Sequence, residues 1–441
     1  MITAHATDAV LAWQLAASSV ILSAALGCRL AAKTYRDAEQ LQAAILSILG
    51  LAFIVLSMLY QSSSPGLGLG PSRSFAIIVV FLGIVTALLV ATDPRRYTGG
   101  EWVAVVCFAI LVGIYFSHTL AFHPSSSQSR WPIWAAVVMG CHLLVIPRLI
   151  SERVFLWFLP RLAAVIVVLG LITYLIGDYT LWIFEIRQYS SSPGVPGFDP
   201  NITTIQSIFP NPNSLGLLSF AGLVAGVIEL HRSVVARRPL GASIAVALAG
   251  ICGLGVFLSN ARASMLAAAV AVAIYAAYVV GGRLTVPPLV IASILGAFGL
   301  LAGMYMNVID ISSSNRFELW SASLRAIQDG PLLFGHGSGP MSSVIQPYLN
   351  SDFSFSPHNA YLTVFLQAGF VGGFAYLGLV GGSIAGGIIN YREVNVAMLA
   401  FVVGWAIHQG LESYTLFRWS LGSVLATLAI GYLLSSDPVT D

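Results

Sequence analysis

Apolar runs of about 20 residues, the length a helix needs to cross a bilayer, recur along the whole chain. They fall at Leu11–Ala32, Leu41–Tyr60, Phe75–Ala91, Trp102–Leu120, Ile133–Pro147 and Val154–Ile176. The series continues at Leu215–Leu230, Ala242–Leu258, Ala263–Val280, Leu289–Met306, Tyr361–Ile389, Val396–Gly410 and Leu416–Leu434. Only 9% of residues are charged and 57% are hydrophobic. A soluble domain carries about a quarter charged residues, so a soluble fold would have no surface to show water. The pattern predicts an all-α fold, a polytopic transmembrane helical bundle of about 12–13 spans. Residues 1–441 then form a single integral membrane domain. The run Tyr361–Ile389 is too long for one straight crossing, and an interruption is expected near Gly369, Gly372 and Gly373.

A net charge of +2 gives no case for nucleic-acid binding. Cys28, Cys107, Cys141 and Cys252 each fall inside an apolar run, which suits buried thiols rather than a disulfide or a zinc site. His142 lies mid-run, where an ionisable group is either functional or bonded to a neighbouring helix. Short links carry Lys33, Arg36, Arg95, Arg96, Arg148, Arg153, Arg232, Arg237, Arg238, Arg283 and Arg392. By the positive-inside rule these links are cytoplasmic, with the N-terminus outside and the C-terminus inside. Two long connections, 177–212 and 307–357, then both lie outside. Long connections on a membrane scaffold are more often functional than decorative.

Three helices re-enter the membrane from that outer side, each behind a polar cluster: Pro210-Asn211-Pro212-Asn213, Ser259-Asn260-Ala261-Arg262 and Pro357-His358-Asn359. Helix N-termini present free N–H groups and a partial positive charge, and so receive anions. Asn213 and Asn359 also read as plain helix caps, and Arg262 as an interfacial anchor. Within the second long connection, 313–328 reads as an amphipathic helix. Phe317, Trp320, Leu324 and Ile327 share its apolar face, and it carries Arg316 toward the site. The turn Gly335-His336-Gly337 follows no strand, which argues against a nucleotide loop. His408 and Glu412 stand one helical turn apart, pair with one another and could line an acceptor cleft.

These elements, in this order, resemble the bacterial O-antigen ligase and polysaccharide polymerase superfamily. The resemblance is carried by Asn211-Pro212-Asn213-x-Leu215-Gly216, Ser259-Asn260-Ala261-Arg262 and Arg316-Phe317-x-x-Trp320, then by Gly335-x-Gly337 and Pro357-His358-Asn359-x-Tyr361-Leu362, and finally by Gly369-x-x-Gly372-Gly373. It spans a core of about 211–373. It implies a metal-independent, cofactor-free membrane glycosyltransferase with a partly helical extracytoplasmic loop. Its donor would be an undecaprenyl-pyrophosphate-linked glycan, and its acceptor a glycan or a lipid core, met among membrane lipids. In such enzymes arginines hold the pyrophosphate and a histidine serves the acceptor hydroxyl. Arg262, Arg316 and His358 match those roles, with Arg187, Asn211, Asn213, Asn260, Asn359, His408 and Glu412 as substrate-binding candidates. The family often has an arginine just before the Asn-Pro-Asn segment. Here Thr203-Thr204-Ile205-Gln206 stands there, and Arg187 is the available substitute.

Fixed cations stabilise charge that develops on a leaving pyrophosphate. A histidine beginning a helix is favoured neutral by the dipole, and so can accept a proton. Polymerase and ligase share both features, and the sequence does not separate them. The alternative reading is a multi-span transporter or lipid-carrier flippase. It would call for midplane charges or duplicated halves, of which the sequence offers only His142.

Overall fold

The computed structural model describes residues 36–59, 98–122, 131–181, 184–189, 203–306, 308–309, 315–349, 355–416 and 420–435. The predicted runs Leu11–Ala32 and Phe75–Ala91, and both termini, lie outside them. Every other predicted run is helical in its described part. The helices are α1 (Arg36–Leu59), α2 (Gly99–Phe122), α3 (Trp131–Leu144), the short α4 (Ile146–Leu149) and α5 (Glu152–Ile176). After a small sheet come α6 (Pro212–Val235), α7 (Pro239–Leu258), α8 (Arg262–Gly281) and α9 (Val286–Tyr305). The chain continues through α10 (Arg316–Asp329), the short α11 (Met341–Ile345), α12 (Ala360–Ile389), α13 (Val396–Gln409) and α14 (Leu421–Ser435). Among the described residues seven helices are long and apolar enough to cross a membrane. The chain is therefore an all-α polytopic bundle.

Burial sorts the helices into an inner and an outer set. Nearly every residue of α13 and α14 is buried, as are most of α6. By contrast α9 buries only Val286 and Val290 and turns Ile291, Leu295 and Phe298 outward. A helix that is apolar all round yet exposed on most of its surface has lipid as its solvent.

The two ends of the bundle differ. At one end Glu152 binds Arg232 (2.9 Å) and Asn395, Arg148 binds Glu101 (2.6 Å), and Arg283 donates to the Val394 carbonyl (2.8 Å). Arg161 lies near this end. It makes a two-pronged ion pair with Glu229, both contacts at 2.8 Å, and stacks 4.1 Å above Trp157. At the other end the starts of α6, α8 and α12 meet the end of α13, as the polar clusters require.

Two features of the long connections depart from the sequence reading. The connection 177–212 is not all coil: β1 (Tyr179–Leu181), β2 (Phe184–Tyr189) and β3 (Thr204–Ser207) form a three-stranded antiparallel sheet. All of β3 is buried, and Ser207 Oγ donates to the Ile166 carbonyl of α5 (2.7 Å). In α10 the buried stripe is Leu319, Ala322, Ser323, Ala326 and Ile327, while Leu324 is 52% exposed. Small residues let the backbones approach, so the Ala322–Ala326 side faces α12 and packs with Leu362, Phe365 and Leu366. The bulkier Phe317–Trp320–Leu324 edge is left at the margin.

The interruption expected in the longest run is present. Gly369 has φ +63° and ψ −162°, a conformation open essentially only to glycine. It opens the two i→i−4 bonds that a continuous α12 would make from Phe370 to Leu366 and from Val371 to Gln367. The segment 331–337 supplies all four partners. The amides of His336 and Gly337 donate to the Leu366 and Gln367 carbonyls (2.7 and 2.9 Å), and the amides of Phe370 and Val371 donate to the Leu332 and Leu333 carbonyls (2.7 and 3.2 Å). Backbone meets backbone here. A β-carbon on Gly335 would lie 2.5 Å from the Gly369 nitrogen, and one on Gly369 would lie 2.4 Å from the Leu333 carbonyl carbon. A broken helix in a membrane needs such substitutes, because lipid offers its freed polar groups nothing.

Candidate active site

The site is built around the turn that follows α13. The sequence reading runs helix through His408 to Glu412, but α13 ends at Gln409, so the expected one-turn pairing does not form. His408 instead turns its two ring nitrogens to Ser264 Oγ of α8 (3.0 Å) and to the Tyr414 hydroxyl (2.8 Å). It is 1% exposed. Glu412, released from the helix, points into the space where α6, α10 and α12 begin.

Three groups from three elements converge on the Glu412 carboxylate. Asn213 Nδ2 and Arg316 Nη2 each donate to Oε1 at 3.1 Å. His358 Nδ1 stands 3.6 Å from Oε2. The Glu412 side chain is 13% exposed, so burial opposes its charge. That opposition is outweighed by His358 facing it and by the positive fields of Arg316 and His408, and the carboxyl is held below its ordinary value of 4.5.

Each contributor is placed by local backbone chemistry. Asn211, not Asn213, caps α6: its side-chain oxygen accepts from the Asn213 amide (2.8 Å), Pro212 takes the first helical position, and Asn213 is freed to reach Glu412. Asn359 does cap α12, accepting from the Leu362 amide (3.0 Å), while its own amide donates to Ser413 Oγ (3.1 Å). His358 therefore precedes the helix rather than beginning it. Its φ of +48° turns the imidazole back toward Glu412. Trp320 of α10 donates its indole N–H to the Pro357 carbonyl (2.9 Å), which ties this turn to the helix that carries Arg316.

Asn211, Asn213, Ser214, Ser356, His358, His408, Glu412 and Tyr414 are among the residues lining a cleft of ≈ 350 Å³. Ligand sites commonly occupy about 300–1,000 Å³. A second cavity, ≈ 460 Å³, lies at the opposite end of the bundle among Gly378, Gly382, Ser383, Asn390 and Glu393, away from the Glu412 cluster.

The other candidates sit around this centre without joining it. Arg262 is the first residue of α8, and two residues on, Ser264 bonds His408. Arg262 is therefore at the same end of the bundle as His358, but it does not line the cleft. Asn260, at φ +50°, lies in the turn just before it. At Gly216 a β-carbon would stand 2.3 Å from Ala261 Cβ, so only glycine lets α6 pass this close to the start of α8. Arg187 is on β2, paired with Glu185 and 48% exposed. It makes no contact with the Glu412 cluster. Gln206, in the stretch where the family often has an arginine, is a buried bulge residue between the Arg187–Ser207 and Gln188–Ile205 pairs. His142 is fully buried and bonded, with Val138 O at 2.8 Å and Ser57 Oγ of α1 at 3.1 Å, as the helix-bridging reading expects.

Residues 244–377 match the family model Wzy_C, described as O-Antigen ligase. The matched segment is under a third of the chain, and contains Arg262, Arg316, His358 and the Gly335–Gly369 contact. No curated protein matches the chain. The resemblance read from the motifs holds over that segment, which leaves out the Asn211–Gly216 stretch: a multi-pass membrane bundle contains a segment similar to the O-antigen ligase family.

Proposed function

We propose that this protein transfers glycan from an undecaprenyl-pyrophosphate-linked donor on the extracytoplasmic face, as an inverting O-antigen ligase or polysaccharide polymerase. The observation that carries the reading is the His358–Glu412 pair, both lining one cleft, with Arg316 bonded to the same carboxylate.

A proton on Nδ1, facing the Glu412 carboxylate, leaves Nε2 of His358 as the acceptor. The acceptor hydroxyl gives its proton to Nε2, and its oxygen attacks the anomeric carbon. The bond from that carbon to the phosphate oxygen breaks, and the electron pair leaves with the pyrophosphate. Glu412 holds the ring in orientation and stabilises the imidazolium that forms, as a carboxylate does behind a catalytic histidine.

Arg316 spends one guanidinium nitrogen on Glu412 and keeps further N–H donors for the leaving pyrophosphate. Arg262 is the second candidate, placed by the start of α8. Fixed guanidinium groups supply the charge stabilisation that a metal supplies elsewhere, so the transfer is expected to proceed without one. Asn211, Asn213, Asn359 and His408 border the sugar rather than react. Asn260 and Arg187 remain peripheral donor contacts.

The orientation that fits has the Glu412 end outside and the Glu152–Arg232 end in the cytoplasm, which follows the positive-inside reading. The deciding experiment is reconstitution of the purified protein with a lipid-linked glycan donor and chelator. Transfer by the wild type and its loss in His358→Ala are expected. A product that lengthens on the carrier would mark a polymerase, and one moved whole a ligase. No transfer to any acceptor would end the proposal, and chelator-sensitive transfer would end its metal-independent form.

A further inference from the structure

The glycine motifs, Gly335-x-Gly337 and Gly369, have no part in the chemistry above, yet they sit where two site-bearing elements are fastened together. We infer that the contact between segment 331–337 and the break in α12 is a positioning device. Gly335 and Gly369 act through it to fix the spacing between Arg316 and His358. The inference rests on the reading of those two residues as active-site groups.

The first half of α12, from Ala360 to Ala368, begins beside His358 and ends at the break. Helix α10 begins with Arg316 and ends at Asp329, just before segment 331–337. The two run side by side in the same direction. Near their starts they are joined by Trp320 to the Pro357 carbonyl, and along their length by Leu319, Ala322 and Ala326 against Leu362, Phe365 and Leu366. At their far ends the four backbone bonds join them.

Backbone bonds at both strands of this contact make it stiff in a way side chains are not. Its geometry also tolerates no β-carbon at either glycine. Release of the far end would let α10 pivot about Trp320. Arg316 would then move relative to Glu412, and so relative to His358. Tyr115 of α2 donates to Gln367 Oε1 (2.6 Å) at the same level, and so holds the break against the rest of the bundle.

The test uses the full-length protein with its native cysteines replaced and spin labels at Leu324→Cys on α10 and Leu377→Cys on the far half of α12, both exposed positions. Electron–electron resonance reads the distance between the helices, and turnover is measured in parallel. Gly369→Ala and Gly335→Ala are expected to shift or broaden the distance distribution and to lower kcat at least tenfold in folded protein. Gly381→Ala, where a β-carbon meets nothing within 4 Å, is expected to change neither. Should the glycine variants fail to fold, Trp320→Phe loosens the same pair of helices from the other end and carries the same expectation. Normal kcat with a displaced α10, or lost kcat with an unmoved α10, would overturn the inference. The distance is read without any transfer, so a wild type that transfers nothing would sink the functional reading alone.

Discussion

His358 Nδ1 and Glu412 Oε2 face each other across 3.6 Å, although they stand 54 positions apart in the chain with the whole of α12 and α13 between them. Replacing His358 by alanine removes the proposed proton acceptor and is expected to lower kcat by about 100–10,000-fold. Glu412→Gln keeps the shape but not the charge, and should lower kcat strongly while leaving donor KM nearly unchanged. Steady-state kinetics on reconstituted protein check both. A Glu412→Gln enzyme with normal kcat would remove the orienting role.

Stability should depend on pH through Glu412. Its folded pKa lies below its ordinary 4.5, so the charged form is the one that folding favours. The contribution is fully present above that ordinary value and is lost as pH falls through the depressed one. Thermal melts of detergent-solubilised protein from about pH 6 to pH 3 should show the wild type losing more stability than Glu412→Gln in the acid part of that window. Parallel curves would contradict the assignment.

Arg316 is expected to contribute to both structure and turnover. Arg316→Ala should cost about 100–1,000-fold in kcat, the usual loss for one donor to developing charge. Arg316→Lys should recover only part, because an ammonium cannot bond Glu412 and grip phosphate with the same planar fork. If lysine restored full activity, geometry would not matter at this position.

The Arg161–Glu229 pair offers a test away from the site. Glu229→Leu alone should lower the melting temperature, because it leaves a half-buried guanidinium without its partner. The double variant Arg161→Met with Glu229→Leu should regain most of the loss. An additive double variant would show that the two side chains do not act together.

Much of this was legible in the chain. The break in α12 could be read because an apolar run too long for one crossing carried glycines at 369, 372 and 373, and a broken helix in lipid needs them. His358 and Asn359 are legible as candidates because they open an apolar run, and Arg316 because it opens an amphipathic one; the structure sets His358 and Arg316 against Glu412 and makes Asn359 the cap of α12. Glu412 was found only as a candidate, and its partner was misjudged. Sequence spacing cannot say that a helix stops at Gln409, and that stop turns a supposed His408 pair into the centre on which Asn213, Arg316 and His358 converge. Strands of three to six residues in 177–212 carry too little periodicity to be separated from coil. The buried face of α10 differs from the expected one because its alanines set the closeness of approach, a constraint that the spacing of the large side chains does not carry.

The interruption at Gly369 also divides a long rod into two shorter ones that meet at a bonded joint. Bilayers differ in thickness, and a continuous helix would answer a thinner one by leaning, carrying its tip along. Here the lean is met at a joint whose four backbone bonds hold both stretches to segment 331–337. On the proposed role of His358, the spacing at the cleft is expected to depend less on bilayer thickness than one unbroken rod would allow.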